Sequence, residues 1–563
     1  MTAVAIDPSP RAVHPAPITL LRKEKRIRSW SILALLCILA LSRFSGITHQ
    51  SLWFDEGYTV ALCSVVNLHQ FWTRFGSFTT SEHLQPLYYL FLFLWSRFAG
   101  VSDAALRTPS ALFSIGSGIA ASTAVWYLCA GRRSVVLLAS AAFVASSFSL
   151  YYGQEARPYA LLQLLSFSLL ALFLRNRAAA ASEILPLRAH LGFSLLCALC
   201  VLASPFTLLL VLSLAIAELA VTRAWRPWSV WIAAWRLPAA VSAAALAAYV
   251  LPALMTMPSF VADDVTSIRQ PLWMNIGYSI YGIAFGITLQ PASSVLRGQH
   301  NVQAALAFWP VIVPALLTLL ALGCGSVLLL RAAPRRNSTV TIPLFALALY
   351  LVLLFGIFGA VGHLNVLPRH ASVLFVLLFL GLAAIGSLVP TSTSATGKAI
   401  FVAGLCGWLV LNVISLLGYF SDPAFRKDDY RASAALLRGQ QQPVFVVSGD
   451  PQLLARYGAS RILDATEADP DQLAAFVRDK ARNASQVILV FNQFRNFRWS
   501  AVPQTPVREM APGYRCALAS HEAGIDLYDC HNQTAQTASG AVPAGNAHAP
   551  KLSEPRSGSG SPL

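Results

Sequence analysis

The chain has 563 residues, of which 56% are hydrophobic and only 12% charged, with a mean hydropathy of +0.58; no soluble fold has interior enough for that balance, so an ordinary soluble protein is excluded. The formal charge of +16 does not indicate a nucleic-acid partner, because the basic residues fall in short clusters between apolar runs rather than on one continuous face. A membrane span consumes ~20 apolar residues, so roughly ten spans and one modest soluble domain account for the length.

Residues 1–29 form a basic N-terminus that includes Arg22, Lys23, Lys25, Arg26 and Arg28. The apolar run Trp30–Ile47 follows with no small-residue cleavage site, so it reads as a retained first span whose N-terminus lies inside. The first outer loop, 48–109, contains the apolar run Leu87–Ala99. At ~1.5 Å per residue this run falls short of a ~30 Å hydrocarbon core. If it crossed, the clusters Arg132-Arg133, Arg175/Arg177, Arg223/Arg226 and Arg331/Arg335/Arg336 would lie outside, against the positive-inside tendency. It therefore reads as a helix lying along the outer interface.

Ten further spans follow: Ser110–Ala130, Val135–Tyr151, Tyr159–Leu174, Leu191–Ala203, Phe206–Val221, Leu237–Leu254, Ala307–Leu330, Ile342–Val361, Ala371–Leu388 and Ala399–Tyr419. The expected fold is thus mainly α, a polytopic bundle of about 11 spans over residues 30–420. An odd count carries the chain from inside to outside, so residues 421–531 form a small external α/β domain. Within it Pro443–Gly449 and Gln486–Phe491 read as strands, Gln472–Arg482 as a helix and Arg515–Cys530 as a hairpin. The Ala, Gly, Ser and Pro-rich tail, 532–563, reads as disordered. Cys516 and Cys530 are the two cysteines after the last span. A turn near Glu522-Ala523 brings them almost opposite each other, which permits a disulfide in an oxidising compartment.

Ionisable residues collect at the outer ends of the spans. Asp55 and Glu56 follow the first span in Ser51-Leu52-Trp53-Phe54-Asp55-Glu56-Gly57-Tyr58, and a loop on the same face holds Tyr152-Gly153-Gln154-Glu155-Ala156-Arg157-Pro158-Tyr159. Arg107 and Arg369-His370 begin two other spans there. Each feature alone has a bland explanation: an acid capping a helix, a Glu–Arg pair in a turn, or arginines reaching for headgroups. Together they describe an outward site of carboxylates and guanidiniums. Sugar transfer from a lipid phosphate needs such a set, a carboxylate to deprotonate the acceptor hydroxyl and planar cations to hold the departing phosphate. Asp55 and Glu56 are the catalytic candidates. Arg157, Arg369 and Arg107 are the candidates for the donor phosphate, with Glu155, Tyr152, Tyr159, His83, Gln85 and His370 lining the site.

These segments, together with His83-Leu84-Gln85-Pro86-Leu87-Tyr88-Tyr89, Arg107-Thr108-Pro109-Ser110-Ala111-Leu112, Leu367-Pro368-Arg369-His370 and Lys427-Asp428-Asp429-Tyr430-Arg431-Ala432, resemble successive motifs of the bacterial relatives of protein O-mannosyltransferases, a group that includes the lipid A aminoarabinose transferases. The resemblance implies a C-type membrane glycosyltransferase that takes a monosaccharide from a polyprenyl-phosphate donor and passes it to a lipid, glycan or protein hydroxyl on the outer face of the inner membrane. It also implies that Asp55 is the catalytic carboxylate and that Arg157 lies in the matching loop. Gln85 stands where proline or lysine-proline is usual in the group, and His370 where tyrosine is common. No metal-ligand spacing occurs, and the sequence leaves room for a divalent cation without indicating one. The competing class is a membrane transporter or flippase, which calls for ionisable residues near the midplane in two matching halves. Glu218 is the one such candidate, and it lies near the inner end of its span.

Overall fold

The computed structural model describes residues 29–78, 81–179, 187–223, 227–255, 271–291, 306–333, 338–361, 366–466, 470–481, 484–492 and 514–532. The N-terminus 1–28 and the tail 533–563 lie outside the described residues, as do parts of the Met257–Ala305 and Gly362–His370 loops.

Apolar helices build the bundle. Among the described residues six are long and apolar enough to cross a membrane: α5 (Asp103–Leu128), α8 (Tyr159–Ala179), α11 (Trp228–Ala245, continued to Met255), α13 (Trp309–Arg331), α14 (Ser338–Leu353, continued to Val361) and α16 (Ala395–Ser421). The helices α6 (Arg133–Ala145) and α7 (Ser147–Gly153) form a further apolar pair, bent by 55° at the break between them. Four shorter apolar helices complete the set: α1 (Ser29–Phe44), α9 (Leu187–Ala203), α10 (Phe206–Thr222) and α15 (Ser372–Gly386). The apolar run at 272–285 folds as a further helix, α12 (Leu272–Phe285), outside the spans expected from the sequence. Large side chains such as Leu41, Leu317, Leu320 and Val352 remain exposed around the bundle, as lipid-facing positions require because hydrocarbon does not drive them inward.

The chain connecting α1 to α5 folds into α2 (Phe54–Cys63), α3 (Leu68–Gly76) and α4 (Pro86–Ala99). At 14 residues α4 is about 21 Å long, less than the hydrocarbon thickness. It buries Tyr88, Tyr89, Leu92, Phe93 and Ser96 and exposes Phe91, Leu94 and Phe98, which gives it one protein face and one apolar outer face. At the opposite end of the bundle Arg132 donates to the Ser387 carbonyl (2.6 Å) and Arg177 pairs with Glu218 (3.2 Å). Arg132 follows the end of α5 away from Asp103, and Arg177 lies at the end of α8 away from Tyr159.

After α16 the chain forms α17 (Tyr430–Leu437), β1 (Val444–Val446), α18 (Pro451–Arg456), β2 (Ile462–Asp464), α19 (Pro470–Lys480), β3 (Gln486–Asn492), β4 (Tyr514–Glu522) and β5 (Ile525–Asn532). One five-stranded sheet results, in the order β2-β1-β3-β5-β4, with β1 parallel to β2 and β3, and β5 antiparallel to β3 and β4. Alternation along the strands divides the sheet's side chains between two cores. Val444, Val446, Ile488, Val490, Ile525 and Leu527 belong to the cluster continuous with the helical bundle. Phe445, Val487, Leu489, Phe491 and Cys516 form a second cluster with Leu473 and Val477 of α19. The period-two pattern thus seats one face of the sheet on the bundle and leaves the other for a helix. Cys516 and Cys530 sit directly opposite and are joined by a disulfide.

Candidate functional site

The sheet end of the bundle carries a knot of buried charge built on α2. Trp53 is the N-cap of this helix, and Glu56, at the third helical position, accepts the Trp53 N–H (3.3 Å). Asp55 sits between them and points the other way. Gly57 follows because the helix presses onto the Asp450 side chain, and a β-carbon at 57 would lie 1.8 Å from Asp450 Oδ2.

Asp55, 4% exposed, receives Arg369 Nη1 at 2.7 Å and has Arg157 Nη2 at 3.8 Å. Arg157 also donates to Glu82 (2.5 Å), to the Asp55 carbonyl (2.8 Å) and to the Tyr89 and Tyr159 hydroxyls (3.3 Å each). Four side chains from four parts of the chain, Asp55, Glu82, Arg157 and Arg369, make a quartet of two negative and two positive charges. Arg369 is the accessible member, with 24% of its side chain exposed against 3–7% for the others. Arg157 Nε is buried without a protein partner.

Glu56 and Arg107 sit beside this quartet and pair with each other. Arg107 donates Nε and Nη2 to the two Glu56 oxygens (2.9 and 2.5 Å) and spends its remaining N–H groups on the carbonyls of Ile47, Gln50 and Ser51. Glu56 also accepts the Ala156 N–H (2.7 Å). Burial alone would raise the Glu56 pKa, but the Arg107 guanidinium outweighs it and holds the carboxyl below its usual value. Both side chains are at most 2% exposed, and every Arg107 N–H is engaged within the protein. Their geometry is that of a clamp on the loop 47–51 and the turn at 156.

Glu155 turns away from Asp55 and pairs with Lys427 (2.9 Å), both buried. Burial raises its pKa, only partly offset by Lys427. Tyr152 and Tyr159 are buried and meet edge to face at 4.8 Å, so Tyr159 reaches the site through Arg157 while Tyr152 backs it. His83 is buried against Phe75 and Tyr249 and its carbonyl accepts the Tyr249 hydroxyl (2.9 Å). Gln85 is the N-cap of α4 and makes no capping bond. His370 stacks on Phe206 (5.9 Å) with its Nε2 3.4 Å from Arg369 Nε. Sequence reasoning missed Glu82, which neighbours His83 and neutralises Arg157, and Lys427, whose motif it quoted without a role. Among the described residues no three His, Cys, Asp or Glu side chains converge as a metal site requires.

No family model matches the chain, and no curated protein does. Solved structures are similar to it. The oligosaccharyltransferase of Archaeoglobus fulgidus, in complex with Zn and sulfate, matches at TM-score 0.50 and 12% identity over 88% of this chain and 72% of that one. ArnT from Cupriavidus metallidurans bound to undecaprenyl phosphate matches at 0.47 and 13%, over 88% and 97%. The Archaeoglobus fulgidus oligosaccharyltransferase AglB in complex with an inhibitory peptide and a dolichol-phosphate matches at 0.47 and 11%, over 90% and 74%. The first of these likenesses shows a shared fold, a polytopic helical bundle with a further domain.

Proposed function

We propose that this chain is a membrane glycosyltransferase that moves a monosaccharide from a polyprenyl-phosphate donor to an acceptor hydroxyl, at the membrane face where the sheet domain sits. The observation that carries the reading is the Asp55 carboxylate held at 2.7 Å by Arg369 and 3.8 Å by Arg157 at one end of the bundle. A fold shared with an oligosaccharyltransferase supports the same class of chemistry. On the charge argument that face is taken as the outer one, with Arg132 and Arg177 at the far ends of α5 and α8.

In this reading Asp55 Oδ takes the acceptor O–H proton as the acceptor oxygen bonds to the anomeric carbon. The bond from that carbon to the phosphate oxygen breaks, and its electron pair leaves with polyprenyl phosphate. Arg369, the accessible guanidinium, and Arg157 hold the phosphate as charge accumulates on it. Arg107 has no N–H left for that task and serves the loop instead.

The test incubates purified protein with a panel of polyprenyl-phosphate sugars and measures release of free polyprenyl phosphate. Release from at least one donor by the wild type and its loss in Asp55→Asn is the expected result. No release from any donor, together with uptake of radiolabelled sugar into vesicles lacking a lipid-linked donor, would replace transfer with transport.

A further inference from the structure

Lys427, in the segment after the last span, is buried among parts of the site that lie far from it in sequence. Its Nζ is 2.9 Å from Glu155 Oε1, with 4% and 1% of the two side chains exposed. The same ammonium lies 4.5 Å from the Tyr151 ring centroid and 5.6 Å from that of Trp53, both within cation–π range. Its backbone N–H donates to Gln50 Oε1 (3.2 Å), and the carbonyl of the next residue, Asp428, accepts the Ser51 hydroxyl (2.8 Å). One cation thereby touches Trp53, the cap of the helix that presents Asp55, and Glu155, two positions before Arg157.

We propose that Lys427 is a positioning residue: it ties the cap of the Asp55 helix to the turn 155–157 and so sets the reach of Arg157 toward Asp55. This rests on the glycosyltransferase reading of those two residues. A buried ion pair adds little net stability once desolvation is counted, but removing one partner leaves a charge that the surroundings must move to accommodate. Lys427 is placed by its own backbone N–H and lies against two rings. Glu56 reinforces the turn from the other side by holding the Ala156 N–H, and Thr59 donates to the Ala156 carbonyl (2.7 Å). The turn is consequently held at its backbone by α2 and at its side chain by the segment after the membrane.

The informative variant is Lys427→Met with Glu155→Gln, which removes both charges at similar volume and so avoids an unpaired buried ion. It is expected to melt within a few degrees of the wild type, to exchange backbone hydrogens of residues 152–158 at least about tenfold faster, and to lose at least about tenfold in kcat. In an Arg157→Lys background the same pair of changes should cost less than about threefold more, because a residue that acts through another is not additive with it. Unchanged exchange at 152–158, or the same kcat loss in both backgrounds, overturns the proposal. If the wild type releases no polyprenyl phosphate from any donor, the functional reading fails separately, and the exchange measurement still decides whether Lys427 holds the turn.

Discussion

Asp55 and Glu56 are neighbours of equal charge with different surroundings. Glu56 is enclosed by Arg107 and two backbone N–H groups, whereas Asp55 faces the partly exposed Arg369. Asp55→Asn keeps the shape and removes the charge, so turnover should fall by about 10²–10⁴-fold, the usual range for a general base, with the melting temperature little changed. Near-normal turnover in that variant would move the base to another carboxylate. Glu56→Gln should do the reverse in the first instance, since it leaves Arg107 buried and unpaired at a cost of about 3–5 kcal/mol, read as a lower melting temperature. A melt indistinguishable from the wild type would remove the clamp. The Glu56 pKa is lowered in the fold, so its contribution is complete above the ordinary glutamate value of about 4.3 and is lost as pH falls through the lower folded value. Asp55, Arg157 and Arg369 were legible as charges at helix ends on one face. The sorting of Arg107 was not, because its partners are carbonyls and a carboxylate that only the folded loop brings round it. Glu82 gave no signal beyond its place beside His83.

Among the elements, the span read as continuous over Val135–Tyr151 is broken at Ser146. The broken end is satisfied from two sides. Ser146 caps α7 through its own hydroxyl, and Asn412 of α16 accepts the Ser147 N–H (3.0 Å) while donating to the Ala284 and Trp408 carbonyls (2.9 and 3.0 Å). Inside a bilayer an N–H freed by a break has no water to turn to, so the side chain that meets it decides whether the bend survives. Asn412→Leu should therefore cost about 1–3 kcal/mol and loosen the Gly153–Pro158 turn that α7 feeds, which hydrogen exchange would report. Protection equal to the wild type across 147–158 would show that Ser146 suffices. No sign of this break is visible in the sequence, because the Asn412 that meets it is far away in the chain. The hairpin was closer to its expected form. Its turn is Ala523-Gly524, one residue later than expected, with Gly524 at φ +74°, and the irregularity between Leu518 and Ser520 shifts the register by one. Without that shift the Ser520–Leu527 pairing would continue to Cys516 opposite His531, so the bulge is what brings the two sulfurs together.

On the scale of the molecule, the sheet domain is joined to the bundle by its core and by charge. Besides the shared apolar cluster, Asp103 at the start of α5 pairs with Arg431 (2.8 Å) and Arg456 (3.2 Å) and accepts the Tyr457 hydroxyl (2.7 Å), and Tyr457 accepts the Leu52 N–H (2.9 Å). The general plan was legible in the sequence because hydropathy marks spans and alternation marks strands. The seating of the domain was not, since β1 and β2 have three residues each, too few to show which face looks inward. The disulfide tests sidedness at this scale. Thiol labelling of the denatured, unreduced protein should spare Cys516 and Cys530 and modify the seven other cysteines. Labelling of all nine would show that the bridge is absent and remove its support for an external domain.

The tie made by Lys427 also has a consequence for biosynthesis. Asp55 leaves the ribosome early and Lys427 late, and at about 5–20 residues per second the interval between them is roughly 20–75 s. Throughout that time the loop 47–60 has been made without the cation that anchors Trp53. The protein is thus made with its acidic loop unfinished, and a nascent chain arrested before residue 427 should be inserted but inactive.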